Sequence, residues 1–317
     1  MSSFSLKPLS SALGAEVIGI DMRSPLDAET VQALIDAWHR HIILLFRNQP
    51  LTFEEHIAFS RHFGALDDHA AVPKFRHPEH PEILLVTNYE AGGKRLAVGR
   101  QWHSDLSTTT RPAKGSLLHC VELPEVGGDT MFCNMYKAWD SLSPTLQSIL
   151  DGRNALHDMT AARETRQVRT SDELADIRRR NPPVYQPIAR VHDGSGRKAL
   201  YVSEMTSVAI EGMTEEESRP LLQYLYDHSV VPENVYRHRW QLGDTMMWDN
   251  RSAMHIALAD YDHSQRRIMY RTTLLGQPSG RIADADLPLE DAAVRPRPAA
   301  VFPAVSLPAG TGEHRAQ

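Results

Sequence analysis

Hydrophobic positions recur along the chain with two different periods. In the first sixty residues the spacing is largely helical: residues 26–39 carry Val31, Leu34, Ile35 and Trp38 on one helix face, between apolar runs at 15–20 and 42–46 that predict strands. A second helix is predicted to begin at Thr52, where Thr52 and Glu55 make a capping box, and to stop near Gly64, a residue suited to the left-handed turn at a helix end. From about residue 82 onward β-type runs dominate, at 83–87, 116–123, 130–134, 187–192, 199–204, 235–241, 245–249 and 268–275. That is about eight strands, the number a jelly roll needs. The turn Asp193-Gly194-Ser195-Gly196 predicts a hairpin between two of them. Two helical stretches interrupt the series, one with Leu146, Ile149 and Leu150, the other with Leu221, Leu222 and Leu225, where Pro220 belongs in the first turn or kinks the helix.

Two segments break the pattern. Residues 160–181 are dense in Arg, Glu and Asp with few apolar positions, which predicts a mobile solvated segment and, if it flanks an active site, a lid near 160–182. After Gly276 the chain turns Pro/Ala-rich and loses periodicity, so 277–317 reads as a tail or a clamp on a neighbouring subunit, beyond a single domain over 1–276. No internal repeat is visible.

Composition narrows the function classes. With 317 residues, 41% hydrophobic and 23% charged, the chain can bury a sizeable core. Its net charge is -6 and no Lys/Arg stripe carries interleaved aromatics, so a nucleic-acid partner is not expected. No signal peptide and no window of roughly 18 apolar residues occurs, which predicts a cytoplasmic protein without a membrane partner. Cys120 and Cys133 each lie in an apolar run, where buried reduced thiols are expected rather than a disulfide. The 16 histidines argue nothing by number alone, since one metal site uses only two or three.

The candidate chemistry begins at Gln101-Trp102-His103-Ser104-Asp105. On an extended strand i and i+2 face the same way, so His103 and Asp105 can offer an imidazole and a carboxylate to one metal. His255, after the strand-turn run Trp248-Asp249-Asn250-Arg251-Ser252, completes a set of two histidines and one carboxylate. Such a facial triad leaves three positions of an octahedron open, enough for a bidentate 2-oxo acid and O2. An H-x-D pair alone is weak, because it arises often by chance. Its context is Gln265-Arg266-Arg267-Ile268-Met269-Tyr270-Arg271, where alternation puts Arg267, Met269 and Arg271 on one face and Ile268 and Tyr270 on the other. If the arginine face lines an interior, two anions must accompany it. If it lies on an edge strand, the arginines face solvent. Periodicity does not separate the two.

In order, QWHSD, GGDTMFCNMY, GDTMMWDNRSAMH and QRRIMYR resemble the taurine dioxygenase and 2,4-dichlorophenoxyacetate dioxygenase family, over about Phe4 to Gly276. The resemblance implies an α+β, mainly β fold, a double-stranded β-helix (jelly-roll) barrel with flanking helices. It implies Fe(II), 2-oxoglutarate as cosubstrate and O2, with His103, Asp105 and His255 as metal ligands, Thr130 and Arg267 holding 2-oxoglutarate, and Arg271 and His69 meeting the substrate. The spacing from His255 to Arg267 is one residue longer than in the taurine enzyme, which brings Arg266 into question; Arg267 keeps the R-I-M-x-R phase. Val72, Arg163 and Thr206 stand where that enzyme has aromatic walls, and Gly99 replaces an amide. A larger or more polar acid than taurine is therefore expected: a sulfonate, sulfate ester, or aryloxy or carboxylic acid, hydroxylated with succinate and CO2 as coproducts and in some cases cleaved thereby. Folds of this kind commonly form dimers or tetramers.

Two other classes compete. A zinc hydrolase can use the same ligands, but it leaves Arg267 and Thr130 without a task and no H-E-x-x-H helix supplies a base. A non-enzymic jelly-roll binding module would have no need of all three metal ligands. Gly127-Gly128 reads as a tight turn, since no G-x-x-x-x-G-K follows.

Overall fold

The run Ile-Leu-Leu-Phe at 43–46 has no polar face, and the fold shows why: its sheet is covered on both sides. The computed structural model describes residues 4–70, 72–88, 99–162 and 169–283. The strands among them are β1 (Ser5–Pro8), β2 (Ala15–Ile18), β3 (Ile43–Phe46), β4 (Leu84–Thr87), β5 (Ala113–Glu122), β6 (Thr130–Asn134), β7 (Asn154–His157), β8 (Val184–Pro187), β9 (Ala189–Val191), β10 (Lys198–Leu200), β11 (Ser207–Ile210), β12 (Val235–His238), β13 (Thr245–Asp249), β14 (Ala253–Ala257), β15 (Ile268–Leu275) and β16 (Arg281–Ile282). The helices are α1 (Ala28–His41), α2 (Phe53–Arg61), α3 (Met135–Asp140), α4 (Pro144–Leu150), α5 (Ser171–Arg180) and α6 (Glu215–Ser229). A seven-stranded sheet runs β1-β2-β3-β13-β5-β15-β4; smaller sheets run β12-β6-β14 and β11-β7-β8-β16, and β9 and β10 form a hairpin over the Asp193–Gly196 turn.

The pleat of the large sheet feeds two cores. Leu44 and Phe46 of β3, Leu117 of β5, Met247 of β13 and Leu274 of β15 pack beneath α1 and α2 with Leu34, Trp38, Phe59 and Phe63. Ile43, Leu45, Leu118, Cys120, Met246, Trp248 and Met269 point the other way, into a second core with Phe132 and Met254 of the three-stranded sheet. The same parity decides how β15 is turned. Tyr270 packs on Phe53 of α2 with ring centroids 4.8 Å apart, and the Thr272 hydroxyl lies 2.7 Å from that of Ser60, so the opposite face, with Arg267, Met269 and Arg271, looks inward. β15 lies between β5 and β4 and is no edge strand.

Some expectations need correction. Residues 171–180, expected to be part of a mobile solvated segment, form α5, capped by a Thr170/Glu173 box with acids in its first turn and arginines in its last; none of its side chains is fully buried, and Leu174 and Ile177 are half-buried. Capping and charge order favour this helix, whose apolar face is as short as Leu174 and Ile177. The run 187–192 divides between two sheets at Ile188, whose N–H donates to the Arg153 carbonyl. Pro220 sits past the first turn of α6, which continues through it. β1, β7, β11, β14 and β16 were not anticipated, and β16, paired with β8, lies in the stretch from 277 that was expected to be tail. Cys120 and Cys133 are free and buried as expected, burial pushing the Cys120 thiol up to about 12. Among the described residues no helix is long and apolar enough to cross a membrane. Arg163, the rest of the expected lid at 163–168 and the tail from 284 lie outside the described residues.

Burial lowers His56 and His157 to about 3 from an ordinary 6.5. The unfolded chain therefore takes up these protons first, so their contribution to stability is full above pH 6.5 and is lost as pH falls toward 3. Urea unfolding in chelator should show a loss on the order of 1–2 kcal/mol per histidine between pH 7 and pH 5, and His157→Gln should flatten that slope; an equal slope in the variant would assign the protons elsewhere.

Candidate active site

The segment Trp248-Asp249-Asn250-Arg251-Ser252 must reverse the chain between β13 and β14, which lie in different sheets, and it does so around buried charge. Asp249 accepts from Arg251 Nε at 2.8 Å and from His192 Nε2 at 2.9 Å, and Arg251 reaches on to Asp193. Burial opposes the charge on Asp249, but Arg251 and His192 outweigh it and hold the carboxyl well below the usual range. Asp249, His192 and His39 cluster closely enough to suggest a metal site. Their atoms are already committed: His192 Nδ1 accepts the N–H groups of Gly194 and Ser195, and the carboxylate is held by Arg251. This group is structural.

The turn delivers β14, antiparallel to β6 with His255 opposite Phe132. His103 is joined to it by a two-bond bridge, His103 N to the His255 carbonyl at 3.1 Å and His255 N to the His103 carbonyl at 2.8 Å, which brings the imidazole centroids to 4.2 Å. The H-x-D segment is thus a single bridge rather than the strand expected. After it, Leu106 takes a left-handed φ of 54° and the chain turns away. Asp105 still converges: one atom each from His103, Asp105 and His255 lie within 4.8 Å of one another. Asn250 orients the carboxylate. Its Oδ1 accepts the Asp105 N–H at 3.1 Å and the Trp248 indole N–H at 2.9 Å, while its Nδ2 donates to Ser116 Oγ at 3.0 Å, and Ser116 Oγ donates to Asp105 Oδ2 at 2.7 Å. Asn250 and Ser116 had not been singled out, because nothing in an isolated Asn or Ser names its partner, whether 11 residues away, as Asp105 is from Ser116, or 145, as Asp105 is from Asn250.

Charge is arranged as a metal site requires. Burial disfavours ionised Asp105, yet the Arg271 guanidinium, with the Ser116 hydrogen bond, holds its carboxyl well below the ordinary range. Burial and the adjacent His103 push His255 down to about 3, so it is the neutral imidazole that binds metal. His103 Nδ1, 2.7 Å from the Gln101 carbonyl, must carry the proton, which leaves Nε2 with its lone pair. Among the described residues His255 Nδ1, which is buried, has no hydrogen-bond partner. Two neutral nitrogens and one carboxylate oxygen fit a divalent metal of the Fe(II) type.

Arg267 is buried, its Nε fixed on the Gly128 carbonyl at 2.9 Å and its Nη2 3.4 Å from Thr130 Oγ1. Burial lowers its pKa, and among the described residues no carboxylate forms an ion pair with it; nearby Asp129 and Asp260 are taken by Arg237. Gly128, at φ +73°, allows this approach: a Cβ there would stand 3.1 Å from Arg267 Cδ. Arg266, by contrast, is half-exposed beside Glu122. Arg271 Nη1 meets Asp105 Oδ1 at 2.6 Å, and its Nε is buried without a partner. His69 is buried, not on the surface, with Nδ1 3.2 Å from the Pro81 carbonyl and Nε2 3.2 Å from Thr273 Oγ1; burial and then Arg271 lower its pKa. Thr206, expected on the pocket wall, spends its hydroxyl on Ser107, Ser203 and His157.

The model of the family "Taurine catabolism dioxygenase TauD, TfdA family" matches residues 5–273. The chain belongs to this family. It is 37% identical over 281 residues to the alpha-ketoglutarate-dependent 2,4-dichlorophenoxyacetate dioxygenase of Cupriavidus pinatubonensis, covering 84% of this chain and 96% of that one. The alpha-ketoglutarate-dependent sulfate ester dioxygenase of Pseudomonas putida is 31% identical over 280 residues, covering 85% and 89%. The crystal structure of a taurine dioxygenase from Burkholderia xenovorans matches with a TM-score of 0.75 at 32% identity, covering 89% of this chain and 97% of that one. That of AAD-2 in complex with Mn(II) and N-oxalylglycine matches with a TM-score of 0.76 at 30% identity, covering 87% and 98%. This TauD/TfdA protein is a 2-oxoglutarate-dependent dioxygenase that uses Fe(II) and O2.

The Ser116 hydroxyl orients Asp105, so Ser116→Ala should weaken Fe(II) or Mn(II) binding roughly 10- to 100-fold with little change in melting temperature. Unchanged affinity in a metal titration would mean that Asn250 and Arg271 orient the carboxylate without it.

Proposed function

We propose that this dioxygenase hydroxylates a small organic acid, a sulfonate, sulfate ester, or aryloxy or carboxylic acid, whose anionic group is held by Arg271 with His69 beside it. On this reading His103, Asp105 and His255 hold the metal, and Arg267 with Thr130 holds the outer carboxylate of 2-oxoglutarate. The observation that carries it is the inward face of β15, where Arg271 pairs with Asp105 of the His/Asp/His group and Arg267, four residues away and more deeply buried, has no carboxylate partner among the described residues. A buried guanidinium without a counter-ion is stable only if an anion arrives to pair with it. A bidentate carboxylate suits that fork geometry.

The metal, with 2-oxoglutarate and O2, supplies the oxidising power for C–H hydroxylation and yields succinate and CO2. The chain's own part is placement. Arg267 and Thr130 fix one end of the cosubstrate, Arg271 fixes the substrate's acid, and the buried Met269 between them keeps the floor apolar, so that the C–H bond is presented to the metal and water is excluded. The relatives that act on aryloxy acids and sulfate esters support an acidic substrate. The seven-stranded and three-stranded sheets, sharing one core, fit the two halves of a double-stranded β-helix. The family match over 5–273 supports one catalytic domain across 1–276.

Anaerobic titration of metal-free protein with Fe(II) and 2-oxoglutarate should raise the weak visible charge-transfer band of the chelate, and His103→Ala and Arg267→Ala should each lose it. A band that survives both would move the cosubstrate elsewhere. In succinate-release assays over the four acid classes, Arg271→Gln should raise KM for the preferred acid roughly 10- to 100-fold with Fe(II) affinity checked separately; an unchanged KM would place the acid on another group.

A further inference from the structure

The Thr130 hydroxyl receives two hydrogen bonds from groups that can only donate. Trp240 Nε1 donates to Thr130 Oγ1 at 3.0 Å, and Arg267 Nη2 approaches the same oxygen at 3.4 Å. An indole N–H and a guanidinium have no lone pair to offer in return. A hydroxyl oxygen has two acceptor positions and one proton, so with both positions filled its O–H is left to donate, directed away from both partners. Among the described residues no group accepts that proton.

The indole is held firmly enough to impose this. Trp240 is 8% exposed and belongs to the core shared by the two sheets. Its ring meets the ring of His238 edge-on at 4.6 Å, and His238 sits opposite Thr130 in the β12–β6 pair. His238 Nε2 is in turn fixed on Asp244 Oδ2 at 3.1 Å, a carboxylate that also takes Arg47 Nη1 at 2.6 Å and the Gln241 N–H at 2.9 Å. A line of contacts thus runs from Arg47 through Asp244, His238 and Trp240 to Thr130.

We propose that Trp240 is a positioning residue that fixes the Thr130 hydroxyl as a hydrogen-bond donor, so that Thr130 and Arg267 together present donors and select a carboxylate at the outer end of the 2-oxo acid. This rests on the reading that Arg267 and Thr130 hold that carboxylate. A carboxylate is an acceptor at both oxygens and matches such a surface; an end group with its own N–H or O–H leaves a donor facing a donor, and a methyl leaves the Thr130 proton buried and unused.

The test is equilibrium binding of two chelating acids to the Fe(II) protein without O2, read by calorimetry and by the chelate band: 2-oxoglutarate, and 2-oxobutyrate, which lacks the outer carboxylate. Trp240→Phe keeps a ring and removes the donor. It should weaken 2-oxoglutarate roughly three- to tenfold, leave 2-oxobutyrate within error, and have no further effect in a Thr130→Ala background. Thr130→Ala alone tests the underlying reading: if it leaves 2-oxoglutarate binding unchanged, Thr130 does not hold the carboxylate, and both statements fall together. If Thr130→Ala weakens 2-oxoglutarate but Trp240→Phe does not, or if Trp240→Phe weakens both acids alike or acts equally in both backgrounds, the Trp240 proposal alone is overturned. Should Trp240→Phe fail to fold, replacing Trp240 with benzothienylalanine, which exchanges the N–H for sulfur at nearly constant shape, makes the same measurement.

Discussion

With α1 and α2 packed on one face of the seven-stranded sheet and the three-stranded sheet facing the other, the side chains of β3, β13 and the middle of β5 and β15 have no solvent side, and a slip of one residue would exchange the two cores. That register constraint determines the rest. Leu117, Met247 and Leu274 must lie under the helices, so Leu118, Met246 and Met269 must lie inward, and with Met269 go Arg267 and Arg271. Guanidinium groups reach the interior because the strand that bears them is fixed by the apolar residues between and beyond them. The hydrophobic term of the sheet outweighs their desolvation, and pairing with acceptors offsets the remainder.

The second constraint is the covalent chain's need to cross from one sheet to the other between β13 and β14. Asp249 and Arg251 satisfy each other inside this turn, which frees Asn250 to face the site and hold the Asp105 backbone, the Trp248 indole and the Ser116 hydroxyl at once. The same turn aligns β14 so that His255 forms its backbone bridge to His103. A structural ion pair and a chemical site are here two sides of one five-residue segment. Two of the seven buried side-chain atoms that lack a partner among the described residues, His255 Nδ1 and Arg271 Nε, belong to the site residues, beside Arg267, which has no carboxylate paired with it there.

Much of this was legible in the sequence. Period-2 runs located β5, β6, β13 and β15, the Thr52/Glu55 box located the start of α2, and the ordered motifs around His103, Thr130, His255 and Arg267 pointed to the family and its cofactors. These signals are local: each depends on residues within about one element of one another, where spacing alone dictates geometry. Local too, but missed, was α5, whose Thr170/Glu173 capping box and Leu174/Ile177 spacing are outnumbered by charged residues.

Only the tertiary structure decided which way the arginine face of β15 looks, that His69 is buried near Arg271, that Thr206 turns its hydroxyl into a core network, and that Asn250, Ser116 and Trp240 stand behind the site residues. An alternating strand pattern is symmetric between its two faces until a helix is laid on one of them. A hydroxyl or amide carries no record of its partner when that partner is a hundred residues away in the chain. The sequence by itself determined the elements, the family and the candidate ligands, because those follow from neighbours along the chain; the assignment of faces, partners and proton directions came from packing, because those depend on which surfaces meet.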